Sequence, residues 1–268
     1  MENRSENNTL TRYYTKKKRR KKRRKLMFYT LLTVFMVLVI TVLSLTVFFN
    51  ISRFEIEGNS HYSADEIIAA SGLETGQNMF RLNKFDTIER IKSALPYVND
   101  VNIRRRLPSG MAITVSESAP FAYINHQGGF YILDENLKVL EEAYEPAAGI
   151  PEIKGFAAES AQVGSQLTGA DGSEQTLIKL TQSMKENFGT ENVTAINAGS
   201  IYELGFVYDG RVTVLLGSAE RMNEKFKLTR YVIDENPSKE HAQIDVSSGK
   251  KAYYRSVTVD ENNPETQN

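Results

Sequence analysis

Ser247-Ser248-Gly249-Lys250 fits S-x-x-K, the spacing in which penicillin-binding enzymes hold a serine nucleophile near a lysine. In those enzymes the motif opens a helix and works with S-D-N and K-T-G partners. Here it falls where a strand turn is expected, and neither partner motif occurs. His61, His126 and His241 are far apart, and none belongs to an H-E-x-x-H pair. The chain has no cysteine, which excludes disulfides, thiol nucleophiles and cysteine-ligated metals. There is no G-x-S-x-G elbow and no glycine loop shaped for phosphates. Carboxylates are abundant, but spacing singles out no glycosidase pair. The expectation is a protein without catalytic chemistry and without a cofactor.

Charge and hydropathy are more informative. The formal net charge of zero hides a division: residues 1–26 carry twelve basic and two acidic side chains, +10, so the remainder carries −10. Ten of those basic residues are consecutive: Lys16, Lys17, Lys18, Arg19, Arg20, Lys21, Lys22, Arg23, Arg24 and Lys25. Directly after them Leu26 to Phe49 holds 24 residues without a charge, roughly 36 Å of helix against a hydrocarbon core of about 30 Å. The following FFNISRF is too bulky for a cleavage site, so an uncleaved single span is expected. Basic residues beside a span are retained in the cytoplasm. The tract therefore reads as a topology signal, with the N-terminus inside and residues 50–268 outside. It carries no interleaved aromatic platform for nucleic acid, whereas attraction to anionic inner-leaflet lipid follows from its charge.

Beyond the span, alternation and breakers outline an α+β unit. Phe54 and Ile56 alternate with glutamates in a strand closed by Gly58-Asn59. Ser63 with Glu66 forms a capping box, Tyr62 faces Ile67 as a staple, and Gly72 ends the helix. A second helix places Phe85, Ile88, Ile91 and Leu95 on one face before Pro96. Two strands follow, one with Val101 and Ile103, the other with Met111, Ile113 and Val115, joined through Leu107-Pro108-Ser109-Gly110.

Residues 121–258 are richer in strands. A hairpin is expected around Asp134-Glu135-Asn136, then a polar stretch over 157–173, then a helix with Leu177, Leu180, Met184 and Phe188 inward. Asp209-Gly210 marks a tight hairpin between Tyr202–Phe206 and Val212–Leu216. A helix to about Ile233 turns Met222 and Phe226 inward, and a last strand pair is joined at Ser248-Gly249. The expected organisation is a basic tail (1–25), a transmembrane helix (26–49), a first domain (50–119), a β domain (120–258) and a disordered polar tail (259–268).

The order strand–helix–helix–strand–strand next to a single span resembles a POTRA domain. FEIEGNSHYSADEI at 54–67, VNDVNIRRRLPSGMAITVSE at 98–117 and SAPFAYI at 118–124 resemble phrases of the FtsQ/DivIB cell-division family. So do IPEIKG at 150–155 and VTVLLGSAERMNEKF at 212–226, with Lys225 at the family's usual basic position. Ser118 stands where the family commonly has a basic residue after Glu117. The resemblance implies an α+β fold, a POTRA domain followed by a β-rich mixed domain with two helices. It also implies a non-enzymatic divisome scaffold that binds FtsL-like and FtsB/DivIC-like coiled-coil membrane proteins and helps place or regulate a septal penicillin-binding protein complex. Carried over by position, partner binding falls on the last strand, at Ser247, Gly249, Lys250, Lys251, Ala252, Tyr253, Tyr254 and Arg255. An arginine is usual where Ser247 stands. One tyrosine of the adjacent pair could pack inward while the other anchors a partner. Arg104, Arg105 and Arg106 read as a solvated hairpin rim or as a partner-facing patch. The alternatives are a POTRA-bearing component of another envelope assembly or secretion system, and a membrane-tethered cell-wall hydrolase.

Overall fold

The computed structural model describes residues 24–44, 48–170, 172–236 and 240–257. The first helix, α1 (Arg24–Ser44), has a mean hydropathy of 2.6, and none of its most apolar stretch is buried against the rest of the chain. Length, hydropathy and lack of packing together fit a single-pass membrane protein. The span expected over 26–49 lies partly outside the described residues, as do Lys16 to Arg23 and the tail 259–268. The chain divides into two compact units. One comprises residues 1–55, 73–84 and 103–113, the other residues 56–72, 85–102 and 114–268.

After the span come β1 (Arg53–Glu57), α2 (Ala64–Ser71), α3 (Lys84–Ala94), β2 (Val98–Arg106) and β3 (Gly110–Glu117), with sheet order β1-β3-β2. Local signals decide the boundaries. Ser63 and Glu66 exchange both bonds of the capping box, and Gly72 closes α2 in the left-handed conformation. Gly58 has φ +81°, and a Cβ there would lie 2.1 Å from the Val115 carbonyl oxygen, so no other residue fits. The inward stripe of α3 differs from expectation: Thr87 and Ile91 are its buried residues, with Leu95 just beyond, while Phe85 is 81% exposed. At 3.6 residues per turn Phe85 lies about 120° around the helix from Ile91, outside a buried stripe some 100° wide.

The remaining strands are β4 (Ala122–His126), β5 (Gly129–Leu133), β6 (Val139–Ala143), β7 (Glu152–Lys154), β8 (Ala158–Ser160), β9 (Thr168–Gly169), β10 (Val193–Asn197), β11 (Leu204–Tyr208), β12 (Val212–Gly217), β13 (Ala242–Asp245) and β14 (Tyr253–Ser256). The helices α4 (Glu174–Asn187) and α5 (Met222–Glu235) lie between them in sequence. Nine strands form one mixed sheet in the order β14-β13-β12-β11-β10-β7-β4-β5-β6. Asp209 and Gly210 both have positive φ, 55° and 67°, and the Arg211 amide donates to the Tyr208 carbonyl (3.1 Å), closing a tight turn between β11 and β12. One core runs along the sheet under the two helices. Leu177, Leu180 and Met184 of α4 and Met222 and Phe226 of α5 meet Phe206, Val214 and Ile244 there. The polar stretch 157–173 is more structured than its composition suggests. It holds the β8–β9 pair, and Leu167 joins the core fully buried. A single buried leucine leaves no periodicity for sequence reasoning to detect.

Candidate functional site

The β13–β14 hairpin arises from two short apolar alternations around a turn. Ala242 and Ile244 bury themselves in the core, and Val246 follows them fully buried. The chain then reverses: the Gly249 amide donates to the Val246 carbonyl (2.8 Å), and the Ser247 amide donates to Asp245 Oδ1 (2.9 Å). The amides of Lys250 and Lys251 both approach Ser248 Oγ at 3.3 Å. Ser247 and Lys250 thus lie in a strand turn, not at the start of a helix, which is the wrong setting for an S-x-x-K nucleophile.

Of the eight residues expected at the partner edge, Ser247, Gly249 and Lys250 lie in this turn. Lys251 and Ala252 lead out of it, and Ala252 packs against the core. Tyr253, Tyr254 and Arg255 lie in β14 itself, where every residue is exposed. Tyr254 pairs with Ile244, and Tyr253 pairs with Asp245. The two rings therefore leave opposite faces of the sheet, Tyr254 on the face of the helix-covered core and Tyr253 on the other. Both stay accessible, Tyr254 at 38% and Tyr253 at 64%. Of the two topology residues that are described, Arg24 and Lys25 form the first turn of α1.

The ladder shows which backbone groups are spent. Val257 donates to the His241 carbonyl (2.8 Å), so 241 and 257 form a hydrogen-bonded pair. Such pairs alternate along an antiparallel ladder, so Arg255 and Tyr253 also turn their amides toward β13. The amide and carbonyl groups of Tyr254 and Ser256 face outward. Among the described residues no strand pairs with that outer side. The opposite edge of the sheet differs. On β6, Val139 donates to the Ser165 carbonyl (2.9 Å) and accepts from the Gly164 amide (2.8 Å), so residues 164 and 165 cover its start.

Sequence reasoning missed a hollow bordered by β11, β12 and β13. Tyr202, Glu203, Leu204, Leu215, Asp245 and Ser247 line a cavity of about 410 Å³. Leu215 pairs with Asp245, and Asp245 with Tyr253, so one row crosses the sheet from the hollow to the exposed ring. The lining comes from three separate chain segments, and only strand order brings them together.

Two further polar arrangements are buried in the fold or bind its segments together. Lys225 is buried in α5, and its Nζ donates to the Ser218 carbonyl (2.7 Å), tying the helix to the turn after β12. Burial pushes its pKa down, with Glu220 acting in the opposite direction. Glu117 accepts the backbone amides of Ser60 (2.9 Å), His61 (2.6 Å) and Tyr62 (3.3 Å). Next to it, Ser118 donates its hydroxyl to the buried Asp134 (2.8 Å), whose other oxygen caps the amides of Asn136 and Lys138. A serine suffices at that position because it supplies a neutral donor to the turn's carboxylate. His61 stacks on Tyr97 with ring centroids 3.8 Å apart, and no group of three or more metal-ligating side chains gathers among the described residues.

An apolar helix fit to span a membrane, a strand–helix–helix–strand–strand module and a nine-stranded mixed sheet define a membrane-anchored, POTRA-bearing protein. Comparison with known proteins makes this specific. Residues 49–118 match the POTRA domain of FtsQ type, and residues 122–247 match the C-terminal domain of cell division protein FtsQ/DivIB. The cell division protein DivIB of Clostridium botulinum is 27% identical over 232 residues, covering 83% of this chain and 89% of the relative. DivIB of Clostridium acetobutylicum is 29% identical, covering 75% and 80%. FtsQ of Geotalea daltonii is 29% identical, covering 69% and 67%. The chain belongs to the FtsQ/DivIB family of cell division proteins, which is not a known enzyme family.

Proposed function

We propose that this protein is a non-enzymatic divisome scaffold that captures FtsL-like and FtsB/DivIC-like bitopic proteins by adding a partner strand to β14. Through them it helps place or regulate the septal penicillin-binding protein complex. The observation that carries the reading is the outer side of β14, where the backbone groups of Tyr254 and Ser256 face away from β13. Strand addition gives affinity through main-chain bonds and specificity through alternate side chains. Tyr253 and Tyr254 would grip the two faces of an added strand. Ser247, Gly249, Lys250, Lys251, Ala252 and Arg255 shape and charge the mouth of this edge.

The basic tract Lys16–Lys25 supports an N-terminus in the cytoplasm and the two domains outside it. A cofactor has no part in this role, and nucleic acid is not among the proposed partners. The experiment is localisation of a fluorescent fusion of the full chain in growing cells. Accumulation at the division site supports the reading, and an even distribution around the envelope counts against it.

A further inference from the structure

Segments that follow α1 are tied into a small cluster. The Phe48 amide donates to the Ser44 carbonyl (3.0 Å), so Phe48 lies one helical turn beyond the last described residue of α1. The chain then pairs with residues 77–79. Met79 donates to the Phe49 carbonyl (3.0 Å), Asn50 bridges Asn78, and Ile51 donates to the Gln77 carbonyl (2.9 Å). This pairing holds the Phe80 ring edge-on to Phe49, with centroids 5.2 Å apart. Arg105 closes the cluster, its Nε donating to the Met79 carbonyl (2.8 Å) and its guanidinium lying 5.2 Å over the Phe80 ring. The turn after β2 is fastened as well, through Ser52 Oγ to Ser109 Oγ at 2.8 Å.

Three large apolar side chains on these segments face outward, while Ile51 and Met79 are buried. Phe48 is 69% exposed, Phe80 46% and Leu107 61%. Around them the charge is basic. Residues 48–55, 73–84 and 103–113 hold Arg53, Arg81, Lys84, Arg104, Arg105 and Arg106 against only Glu55 and Glu74. The surplus contrasts with the −10 carried by everything after residue 26.

The helix α1, Arg24–Ser44, is roughly 32 Å long, close to a hydrocarbon core of about 30 Å, so Phe48 and Phe49, just beyond its described end, belong at the membrane–water boundary. Phe80 is fixed against Phe49 and must share that depth. Aromatic rings with guanidinium groups beside them suit this zone, the rings among acyl chains and the cations among phosphates.

We infer that Phe48, Phe80 and Leu107, with Arg81 and Arg105, form a second membrane contact that seats this face in the lipid headgroup layer at the C-terminal end of α1. The partner is the bilayer itself, preferentially one containing anionic lipid. The inference rests on α1 being a span and is independent of how β14 is used.

The chain contains no tryptophan, so a single introduced indole reports its own depth. Full-length Phe80→Trp, Leu107→Trp and Leu38→Trp are reconstituted separately in phosphatidylcholine/phosphatidylglycerol vesicles. In one set the phosphatidylcholine is brominated high on its acyl chains, and in the other it is not. Leu38→Trp, inside α1, tests the span alone and sets the scale of full quenching. Phe80→Trp and Leu107→Trp are expected to show blue-shifted emission, at least half the bromolipid quenching of Leu38→Trp, and shielding from aqueous iodide. Omitting phosphatidylglycerol should reduce their quenching at least two-fold. Strong quenching of Leu38→Trp with none at either reporter, both open to iodide, overturns the inference while leaving the span intact. Quenching that ignores phosphatidylglycerol overturns the role given to the arginines.

Discussion

Replacing Ser256 by proline separates the two sides of β14. The Ser256 amide faces away from β13, as set by the hydrogen-bonded pair of His241 and Val257, so its loss costs the native sheet no ladder bond. Proline is accepted on edge strands in this orientation. Against an added partner strand the same change deletes one main-chain donor and leaves a partner carbonyl unpaired. One such bond is worth about 1 kcal/mol net, and the orphaned acceptor raises the cost to about 1–3 kcal/mol. That corresponds to affinity weaker by roughly 5- to 150-fold. The assay is binding of the full-length protein in nanodiscs to an FtsB/DivIC-like partner, with thermal unfolding of the variant measured in parallel. Arg255→Pro provides the contrast, because its amide points inward and its loss should lower stability. Unchanged partner affinity for a Ser256→Pro protein that unfolds at the native temperature would refute strand addition along this edge.

Burial, followed by the charge of Glu141, pushes the Tyr97 phenol up to about 12 from its usual value near 10. The fold therefore holds that proton more tightly than the unfolded chain does. The associated stability is intact below pH about 10 and is lost as pH rises toward about 12. Tyr97→Phe should flatten this alkaline decline in denaturant titrations, and an unchanged slope would contradict the assignment. Glu117→Ala removes the acceptor of three backbone amides. Because water can reach these groups, the expected loss is about 1–2 kcal/mol in urea unfolding, and no loss would show that these three bonds contribute nothing to stability. Phe226 is fully buried among Phe188 and Phe206, so Phe226→Ala should cost about 3–5 kcal/mol; a cost below about 1 kcal/mol would mean that the core has been misplaced.

Features set by a few adjacent residues were legible in the sequence. The Ser63/Glu66 capping box, the Gly72 stop, the Asp209-Gly210 turn and the inward stripe of α5 each depend on side chains within one or two turns of one another. The last strand pair was also legible, because its alternation is confined to residues 242–256. What escaped depends on contacts between distant segments. Phe85 sits in an apolar pattern, yet the packing partners of α3 select Thr87, Ile91 and Leu95 instead. Nothing in the local sequence of His61 points to the ring stacked on it, Tyr97, 36 positions later. The hollow lined by Tyr202, Leu215 and Asp245 needs the parallel placement of β12 beside β13, which no local signal encodes. The tyrosine pair illustrates the boundary between the two cases. Alternation put the rings on opposite faces, and only the sheet order showed that both lie on the edge strand of the described sheet.

Photo-crosslinking in dividing cells tests partner capture most directly. A photoreactive amino acid is placed at position 256 of the full-length protein, where the backbone faces outward, and in a second strain at position 142 on the opposite edge. The account predicts a crosslink from position 256 to a small single-span coiled-coil membrane protein, and none to that protein from position 142. A crosslink to that partner from position 142 with none from position 256 would contradict it.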